Sequence, residues 1–508
     1  MALDANRDGL TVGVLGAGAM GRGIAQVAAV GGCTVRLFDT KEGAGAEAVA
    51  FIDGMLKRAA DKGRMDAADA AAATARISDV AAMDDFAGCD VVIEAVIERL
   101  DVKHAVFQQL EAIVGPDVVL ASNTSSLPVT AIAAACEHPG RVAGLHFFNP
   151  VPLMRLVEVI SGVKTEPAVA DFLMDLGRRF TREPVRVGDA PGFLVNQVGR
   201  GFTVEASHIV HEGVAEFVEI DRIMREAGGF RMGPFELMDL TGLDVTQPAS
   251  EQIYGQFFHE ARYRPSVVMK SRQTAGLYGR KTKAGFYVYE DGKQQVPEEA
   301  PAPAYDGRPV WVSAAEEAGH KDVSELVAQL GGTPDRGDTP GADSLILVTP
   351  LGLDATTAAV NEALDAKRTV AVDTFLGLDR RRTLMKTPVT DQGFTDAAQG
   401  LFSADGTPAT VIRDCPGFVT QRIISSIVNI GCSIAQQGTA VPADIDKAVT
   451  LGLGYPNGPL GFGDAVGPDR VLTVLTNMQA QYGDPRYRPS PWLRRRAQLG
   501  LSLLTSEN

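Results

Sequence analysis

Taking a proton from a hydroxyl near neutral pH, and returning it, suits histidine better than any other side chain, because its pKa lies close to that pH. The chain has seven histidines. His104, His138, His208, His211, His259 and His320 lie in helix-like or polar contexts, where a surface or packing role is expected. His146 differs: it stands at the end of the apolar run Val142–Phe147, beside two phenylalanines and ahead of Asn149-Pro150. Glu158, twelve residues later, interrupts the apolar stretch Leu156–Ile160. A carboxylate without a partner would be costly to bury there. Pairing it with His146 meets both needs, since a carboxylate fixes the imidazole's orientation and stabilises its protonated form. The residues alone leave one rival, an ion pair of Glu158 with an arginine such as Arg155.

A second constellation is Gly16-Ala17-Gly18-Ala19-Met20-Gly21, placed between the strand-like Val12–Leu15 and the helix-like Gly23–Val30. The glycines of such a turn allow a tight bend, leave room for a pyrophosphate and let the helix pack on the strand. Amides at the helix start then face the phosphates. Asp39 closes the next strand, Val35–Phe38, and an acid there accepts hydrogen bonds from ribose hydroxyls and repels a 2′-phosphate. The expected cofactor is therefore NAD rather than NADP. A third group, Ser122-Asn123-Thr124-Ser125-Ser126-Leu127, follows the strand-like Val118–Ala121. In a doubly wound sheet the carboxyl ends of strands face the cofactor crevice, so polar groups there are candidates for substrate contact.

The elements that position these groups alternate. Apolar runs at Val12–Leu15, Val35–Phe38, Val91–Ile93, Val118–Ala121 and Val142–Phe147 are separated by helical patterns such as Val102–Val114, which predicts a parallel, doubly wound α/β sheet of Rossmann type. Beyond Asp189, amphipathic stretches such as Leu194–Glu212 and Asp221–Ala227 predict an all-helical domain. The Pro-rich, polar stretch that follows reads as a linker.

The chain then repeats itself. Asp189-Ala190-Pro191-Gly192-Phe193 recurs as Asp414-Cys415-Pro416-Gly417-Phe418, Gly229–Pro234 recurs as Gly454–Pro459, and Asp239 maps onto Asp464, each 225 residues on. Arg262–Pro265 recurs as Arg486–Pro489, one residue short of that offset. Between the copies, Val310–Val312, Leu345–Val348 and Val370–Val372 read as strands of a shorter α/β segment with no glycine-rich turn after its first strand. The expected domains are 1–188 (Rossmann-type), 189–290 (helical), 291–307 (linker), 308–411 (a degenerate Rossmann-like remnant) and 412–508 (a second helical domain).

Bulk properties narrow the function. A formal charge of −15 opposes binding to nucleic acid, and no basic patch offsets it. No apolar run is long enough to cross a membrane. The segment Met1–Leu10 carries Asp4, Arg7 and Asp8 and lacks the pattern of a secretory signal, so a cytoplasmic location is expected. Cys33, Cys89, Cys136, Cys415 and Cys432 lack CxxC spacing and read as buried thiols, with no metal site.

The segments Gly16–Asp39, Glu94–Lys103, Ala121–Leu127, His146–Ile160 and Pro191–Asn196 resemble the L-3-hydroxyacyl-CoA dehydrogenase family. The likeness covers about residues 10–290 and is sharpest at Ala121–Leu127 and His146–Pro152. The two-copy length is similar to the family's 3-hydroxybutyryl-CoA and 3-hydroxyadipyl-CoA dehydrogenases. The resemblance implies NAD-dependent oxidation of an (S)-3-hydroxyacyl-CoA in fatty-acid or phenylacetate-type catabolism, with His146 as general base and Glu158 as its partner. It implies that Ser125 and Asn196 hydrogen-bond the reacting oxygen, that Glu98, Lys103, Asn149 and Lys281 surround the nicotinamide cofactor, and that Lys62 reaches the CoA. Without it, Glu98 and Lys103 read as a solvated helix start and Lys281 as a loop charge. Met55 stands where the family has a nearby serine. The second copy has Gln421 in place of Asn196 and no counterpart of His146-Phe147-Phe148, which implies one active site per chain. Family subunits dimerise through their helical domains, so the second helical domain is expected to imitate a partner as an intrachain pseudo-dimer, with or without further homo-oligomerisation. The rival readings are a dehydrogenase of a free 3-hydroxy or sugar acid and a non-catalytic NAD-binding protein.

Overall fold

The computed structural model describes residues 3–507; Met1, Ala2 and Asn508, which the N-terminal reading and the outer domain limits include, lie outside the described residues. The chain forms two compact units. One runs to Asn196 and includes Gln437–Leu453; the other comprises Gln197–Gln436 and the residues from Gly454 onward.

Eight strands form the sheet of the first unit: β1 (Thr11–Leu15), β2 (Thr34–Phe38), β3 (Ile77–Asp79), β4 (Val91–Glu94), β5 (Val119–Ser122), β6 (Val142–Phe147), β7 (Leu156–Ser161) and β8 (Glu183–Gly188). Their order is β3-β2-β1-β4-β5-β6-β7-β8. Between them lie helices α1 (Ala19–Val30), α2 (Ala44–Asp61), α3 (Ala67–Ala75), α4 (Leu100–Ile113), α5 (Val129–Ala133) and α6 (Pro167–Arg179). Central strands are largely apolar because helices cover both faces, and their few polar residues, such as Glu94, His146 and Glu158, are buried with partners. Val91 and Ile93 of β4 pack in one core with Ile24, Ile52 and Leu173, whereas Val92 packs in another with Phe107 and Leu110 of α4. The strands read as parallel are so, from β2 through β6; beyond them β6 and β7 pair antiparallel. The connection over residues 148–155 holds no helix, and without a crossover helix the chain turns straight back.

The second unit takes up the chain within α7 (Val195–His211) and continues through α8 (Phe217–Glu226), α9 (Pro234–Thr241), α10 (Leu243–Gln256) and α11 (Val267–Thr274). The hairpin β9 (Val288–Glu290) and β10 (Lys293–Gln295) follows. Part of the stretch read as a linker is therefore a strand, because Asp291 and Gly292, at φ of 49° and 75°, turn the chain back on itself. The remainder is tethered: Glu299 receives both terminal nitrogens of Arg381 at 2.6 and 2.7 Å.

A six-stranded sheet comes next, built from β11 (Pro309–Val312), β12 (Thr333–Pro334), β13 (Leu345–Val348), β14 (Thr369–Val372), β15 (Arg382–Lys386) and β16 (Ala409–Ile412) in the order β12-β11-β13-β14-β15-β16. Helices α12 (Glu317–Gln329), α13 (Ala355–Asn361) and α14 (Gln392–Phe402) belong to it. Then follow α15 (Val419–Gln436), α16 (Pro442–Leu453, in the first unit), α17 (Pro459–Val466), α18 (Pro468–Tyr482) and α19 (Pro491–Leu499). Among the described residues no helix is long and apolar enough to cross a membrane. No disulfide joins the cysteines, and burial pushes the Cys89 thiol up to about 11 and that of Cys415 up to about 12.

Repeated residues make repeated contacts. Asp189 accepts the amides of Val129 and Thr130 at the start of α5, and Asp414 accepts those of Ala355 and Thr356 at the start of α13. Asp239 accepts the amides of Phe286 and Tyr287, and Asp464 that of Leu503. Within the second unit the helical copies touch through exchanged pairs: Arg264 binds Asp484, and Arg488 binds Glu260 at 3.2 Å. Phe230 meets its own repeat mate Tyr455, ring centres 4.9 Å apart. Helices α7 and α15 pack so closely that a Cβ on Gly201 would stand 3.0 Å from the Ile427 backbone.

Candidate active site

The glycine turn leaves β1 and enters α1 with each glycine constrained differently. Gly16 has φ of 104°, and a Cβ there would lie 2.6 Å from the Ala95 carbonyl oxygen. A Cβ on Gly21 would overlap the Gly16 carbonyl oxygen, so helix and turn meet only through glycine. Around Gly18 a Cβ would meet nothing within 4 Å, and Gly18 begins α1 without any side-chain cap. This is an open cradle lined by helix-start amides, the arrangement a pyrophosphate needs. Ala17 completes the turn, and Ala19 and Met20 open α1. Asp39, half-buried at the end of β2, accepts the amides of Ala17 at 2.7 Å and Lys41 at 2.8 Å, which fixes its carboxylate beside the cradle. The residues present fit a dinucleotide.

His146 and Glu158 are register partners across β6 and β7. His146 Nδ1 lies 2.6 Å from Glu158 Oε2, and the carboxylate is fully buried. Its other oxygen accepts the amides of Leu194 and Val195 at 3.0 and 3.1 Å. Arg155, the rival partner, binds Glu183 instead. Phe148 and Phe193 pack on the imidazole, with ring centres 4.4 and 5.8 Å away. With Nδ1 committed to the carboxylate as N–H, Nε2 carries the lone pair, and a histidine so held can accept a proton there.

The polar run after β5 is organised by an acid outside it. Glu98 Oε1 accepts the amides of Ser125 and Ser126 at 2.8 and 3.0 Å and the Thr124 hydroxyl at 2.7 Å. Burial pushes its carboxyl up, but the Lys103 ammonium and the bonds from Thr124, Ser125 and Ser126 outweigh this and hold it below the ordinary glutamate range. Ser125 is exposed, and its carbonyl accepts from Asn196 Nδ2 at 3.3 Å, so these two residues meet. Lys103 is not the solvated helix-start charge of the plain sequence reading. It is 1% exposed and bridges Glu94 at 2.6 Å and Glu98 at 3.3 Å.

Glu94 escaped the sequence reading, and Asn123, read only as part of a run facing the substrate, ties two strands together. Glu94, buried at the end of β4, also takes the Ser122 hydroxyl, and Asn123 Oδ1 takes the Phe147 amide and so joins the ends of β5 and β6. The signal for Glu94 was available: an acid ending the apolar strand Val91–Glu94 needs a partner as much as Glu158 does. Asn149 is exposed just after β6. Lys62 is exposed at the end of α2, and Met55 is half-buried in the middle of that helix. Lys281 lies in the second unit, where Asp244 holds its ammonium at 2.7 Å.

Comparison with known proteins agrees with this geometry. Residues 11–190 match the model of the 3-hydroxyacyl-CoA dehydrogenase NAD binding domain, and the C-terminal domain of the same family matches twice, over 192–289 and 417–505. The 3-hydroxyadipyl-CoA dehydrogenase of Escherichia coli (strain K12) is 35% identical over 96% of this chain and 98% of its own length. A probable 3-hydroxybutyryl-CoA dehydrogenase of Deinococcus radiodurans is 41% identical over 54% of this chain and 99% of its own length. The crystal structure of a 3-hydroxybutyryl-CoA dehydrogenase from Escherichia coli K12 superimposes with a TM-score of 0.84 at 34% identity, covering 97% of this chain and 99% of that one. With an open cradle for NAD in its first domain and a helical domain matched twice, this chain belongs to the 3-hydroxyacyl-CoA dehydrogenase family.

Proposed function

We propose that the chain oxidises the 3-hydroxyl of an (S)-3-hydroxyacyl-CoA, giving the 3-oxoacyl-CoA, NADH and a proton. His146 takes the hydroxyl proton on Nε2, while Glu158 holds the ring through Nδ1 and offsets the charge the ring gains. Ser125 and Asn196 hydrogen-bond the oxygen that becomes the carbonyl. NAD, when bound, would supply the acceptor for the hydride that leaves C3. Gly16–Gly21 and Asp39 would hold this cofactor; Glu98, Lys103 and Asn149 complete its surroundings, and Lys62 meets the anionic part of CoA. The observation that carries the reading is Glu158, whose two oxygens hold His146 and the start of α7 at once.

For the acyl group we infer short or dicarboxylic chains, in fatty-acid or phenylacetate-type catabolism. In support, the relative aligned almost end to end is named for 3-hydroxyadipyl-CoA, and relatives aligned with the first half are named for 3-hydroxybutyryl-CoA. We also read the two helical copies as a pseudo-dimer within one chain. Supporting this are the exchanged pairs Arg264–Asp484 and Arg488–Glu260, since a two-fold contact repeats each pair with its roles reversed.

NADH consumption with acetoacetyl-CoA tests the core of the proposal. Wild-type protein should consume NADH, and His146→Gln should not, while its NAD affinity stays nearly unchanged. Undiminished consumption by His146→Gln would overturn the assignment. A comparison of kcat/KM for four-carbon, long-chain and ω-carboxyl substrates then assigns the acyl class.

A further inference from the structure

Ser125, which the proposed reaction places on the reacting oxygen, is held from both sides of its own backbone. Its amide donates to Glu98 Oε1 at 2.8 Å, and its carbonyl accepts Asn196 Nδ2 at 3.3 Å. The Ser125 hydroxyl is left a long contact of 3.4 Å to the same carboxylate, so it can turn to a substrate while the backbone keeps its aim. Glu98 Oε1 is the hub of this arrangement. Besides the Ser125 amide it accepts the Ser126 amide and the hydroxyls of Thr124 and Ser126, all at 3.0 Å or less. So many donors on one oxygen suit an ionised carboxylate, since a neutral acid accepts each of them more weakly.

The charge that favours the ionised form comes from Lys103, whose ammonium lies 3.3 Å from Glu98 Oε2. Lys103 is 1% exposed, and a lysine so far from water needs a close carboxylate to stay charged and in place. Glu94 supplies it at 2.6 Å and is itself fully buried. A second route joins Glu94 to the same loop: its Oε2 accepts the Ser122 hydroxyl at 2.7 Å, and Ser122 Oγ in turn accepts the Thr124 amide at 3.2 Å.

The second sheet offers a comparison. Its strands β14 and β15 pair antiparallel as β6 and β7 do, but Asp373 and Thr383 stand where the first sheet has His146 and Glu158. Val348 pairs with Ala371 as Ser122 pairs with Gly144. Ser313, one step beyond the pair Val312 and Leu347, takes the place of Glu94. A strand-end acid that served the sheet alone would be as useful in either copy. Here the acid and its hydroxyl partner are both missing from the sheet that lacks the histidine and glutamate.

We propose that Glu94 is a positioning residue of the active site: through Lys103 and Glu98 on one route and Ser122 on the other, it fixes the loop Ser122–Leu127 so that the Ser125 hydroxyl meets the reacting oxygen. This role rests on the reading of Ser125 given above. Glu94 touches neither substrate nor cofactor in that reading, so its loss slows the step that needs an aimed Ser125 rather than loosening the grip on the acyl-CoA.

The double variant Glu94→Gln with Lys103→Met removes both buried charges together and is the probe least exposed to misfolding. Val92→Ala, two residues earlier on the same face of β4 and packed on Phe107 and Leu110 of α4, controls for simple loosening of the strand. With acetoacetyl-CoA and NADH, the double variant should lose at least about tenfold in kcat and keep KM for acetoacetyl-CoA within about twofold. Val92→Ala should keep both near wild type.

The pH profile adds a readout that loosening does not move. In the direction that consumes NADH, protonated His146 is the working form, so its own titration does not shape the acid limb. Lys103 holds the Glu98 carboxyl below the ordinary range against burial, and Lys103 and Glu94 are the charged groups around it. Without them Glu98 takes up a proton at higher pH, so the acid limb of kcat should move to higher pH in the double variant and stay in place in Val92→Ala. Hydrogen exchange over residues 124–127 needs no turnover and should speed about tenfold in the double variant, with 156–160 unchanged. Failure of the reaction itself would show in wild-type protein that consumes no NADH. In an active wild type, a double variant with unchanged kcat, an unmoved acid limb or unchanged loop exchange, or an equal kcat loss in Val92→Ala, would each overturn the role of Glu94.

Discussion

Glu158 faces His146 across β6 and β7 and divides its carboxylate between the His146 imidazole, at 2.6 Å, and the amides that begin α7, at 3.0 and 3.1 Å. Replacing either residue should therefore have separable effects. In Glu158→Gln the amide has one oxygen where two acceptors are needed, so either the ring or the α7 amides lose their partner. We expect kcat to fall by a factor of about 10²–10⁴ and stability to fall by about 1–3 kcal/mol. His146→Gln should match the loss of turnover but leave the α7 amides satisfied, and so lower Tm less. Parallel measurement of kcat and Tm on the two variants checks this; a Glu158→Gln enzyme with wild-type kcat would contradict it.

The ion pair of Lys103 and Glu94 predicts a stability effect with a built-in control. Both side chains are at most 1% exposed, and without Lys103 the buried Glu94 charge keeps only the Ser122 hydroxyl and the Val96 amide to offset it. Lys103→Met should cost about 3–5 kcal/mol. The double variant Glu94→Gln with Lys103→Met removes both charges and should recover part of that loss. Urea unfolding of the three proteins decides the matter, and a double variant less stable than the single one would sink the explanation.

Between the helical copies, Arg422 of α15 is fully buried and binds Glu205 of α7 at 2.8 Å and Glu212, just beyond the end of that helix, at 2.6 Å. Burial pushes the Glu205 carboxyl up, but Arg422 and Arg486 outweigh this and bring it down to about 2 from an ordinary 4.5. A carboxyl lowered in this way contributes stability that is complete above pH 4.5 and is lost as pH falls through about 2. The contribution is about 3 kcal/mol. Acid titration of unfolding stability should therefore decline between these limits, and Glu205→Gln should flatten that part of the curve while lowering stability at neutral pH. An unchanged acid limb in the variant would contradict the pairing.

The parts of this architecture that were legible in the sequence share one property: the residue itself forces the conclusion. A carboxylate inside Leu156–Ile160 demands a partner, and three glycines between a strand and a helix demand a close approach. Lys103 was not legible, because its partners Glu94 and Glu98 lie outside its own helix and a lysine in a first turn otherwise reads as solvated. The return of β7 was hidden because an apolar run carries no direction. The tethered stretch near Glu299 was hidden because Pro-rich composition reports local stiffness and says nothing of Arg381, 82 residues away.

The glycine turn gives the sharpest separation of folding from ligand binding. Gly18 has extended backbone, at φ of −65° and ψ of −170°, and open space where a Cβ would stand, so Gly18→Val should fold with nearly unchanged Tm. The same side chain would occupy the cradle, however, and NAD affinity should fall at least about tenfold. Gly21→Val places its Cβ on the Gly16 carbonyl oxygen, which belongs to backbone that cannot yield. That variant should lose the packing of α1 on β1 and, with it, stable folding. Thermal melting and calorimetric titration with NAD distinguish the two. Should Gly18→Val bind NAD as the wild type does, the pyrophosphate lies elsewhere.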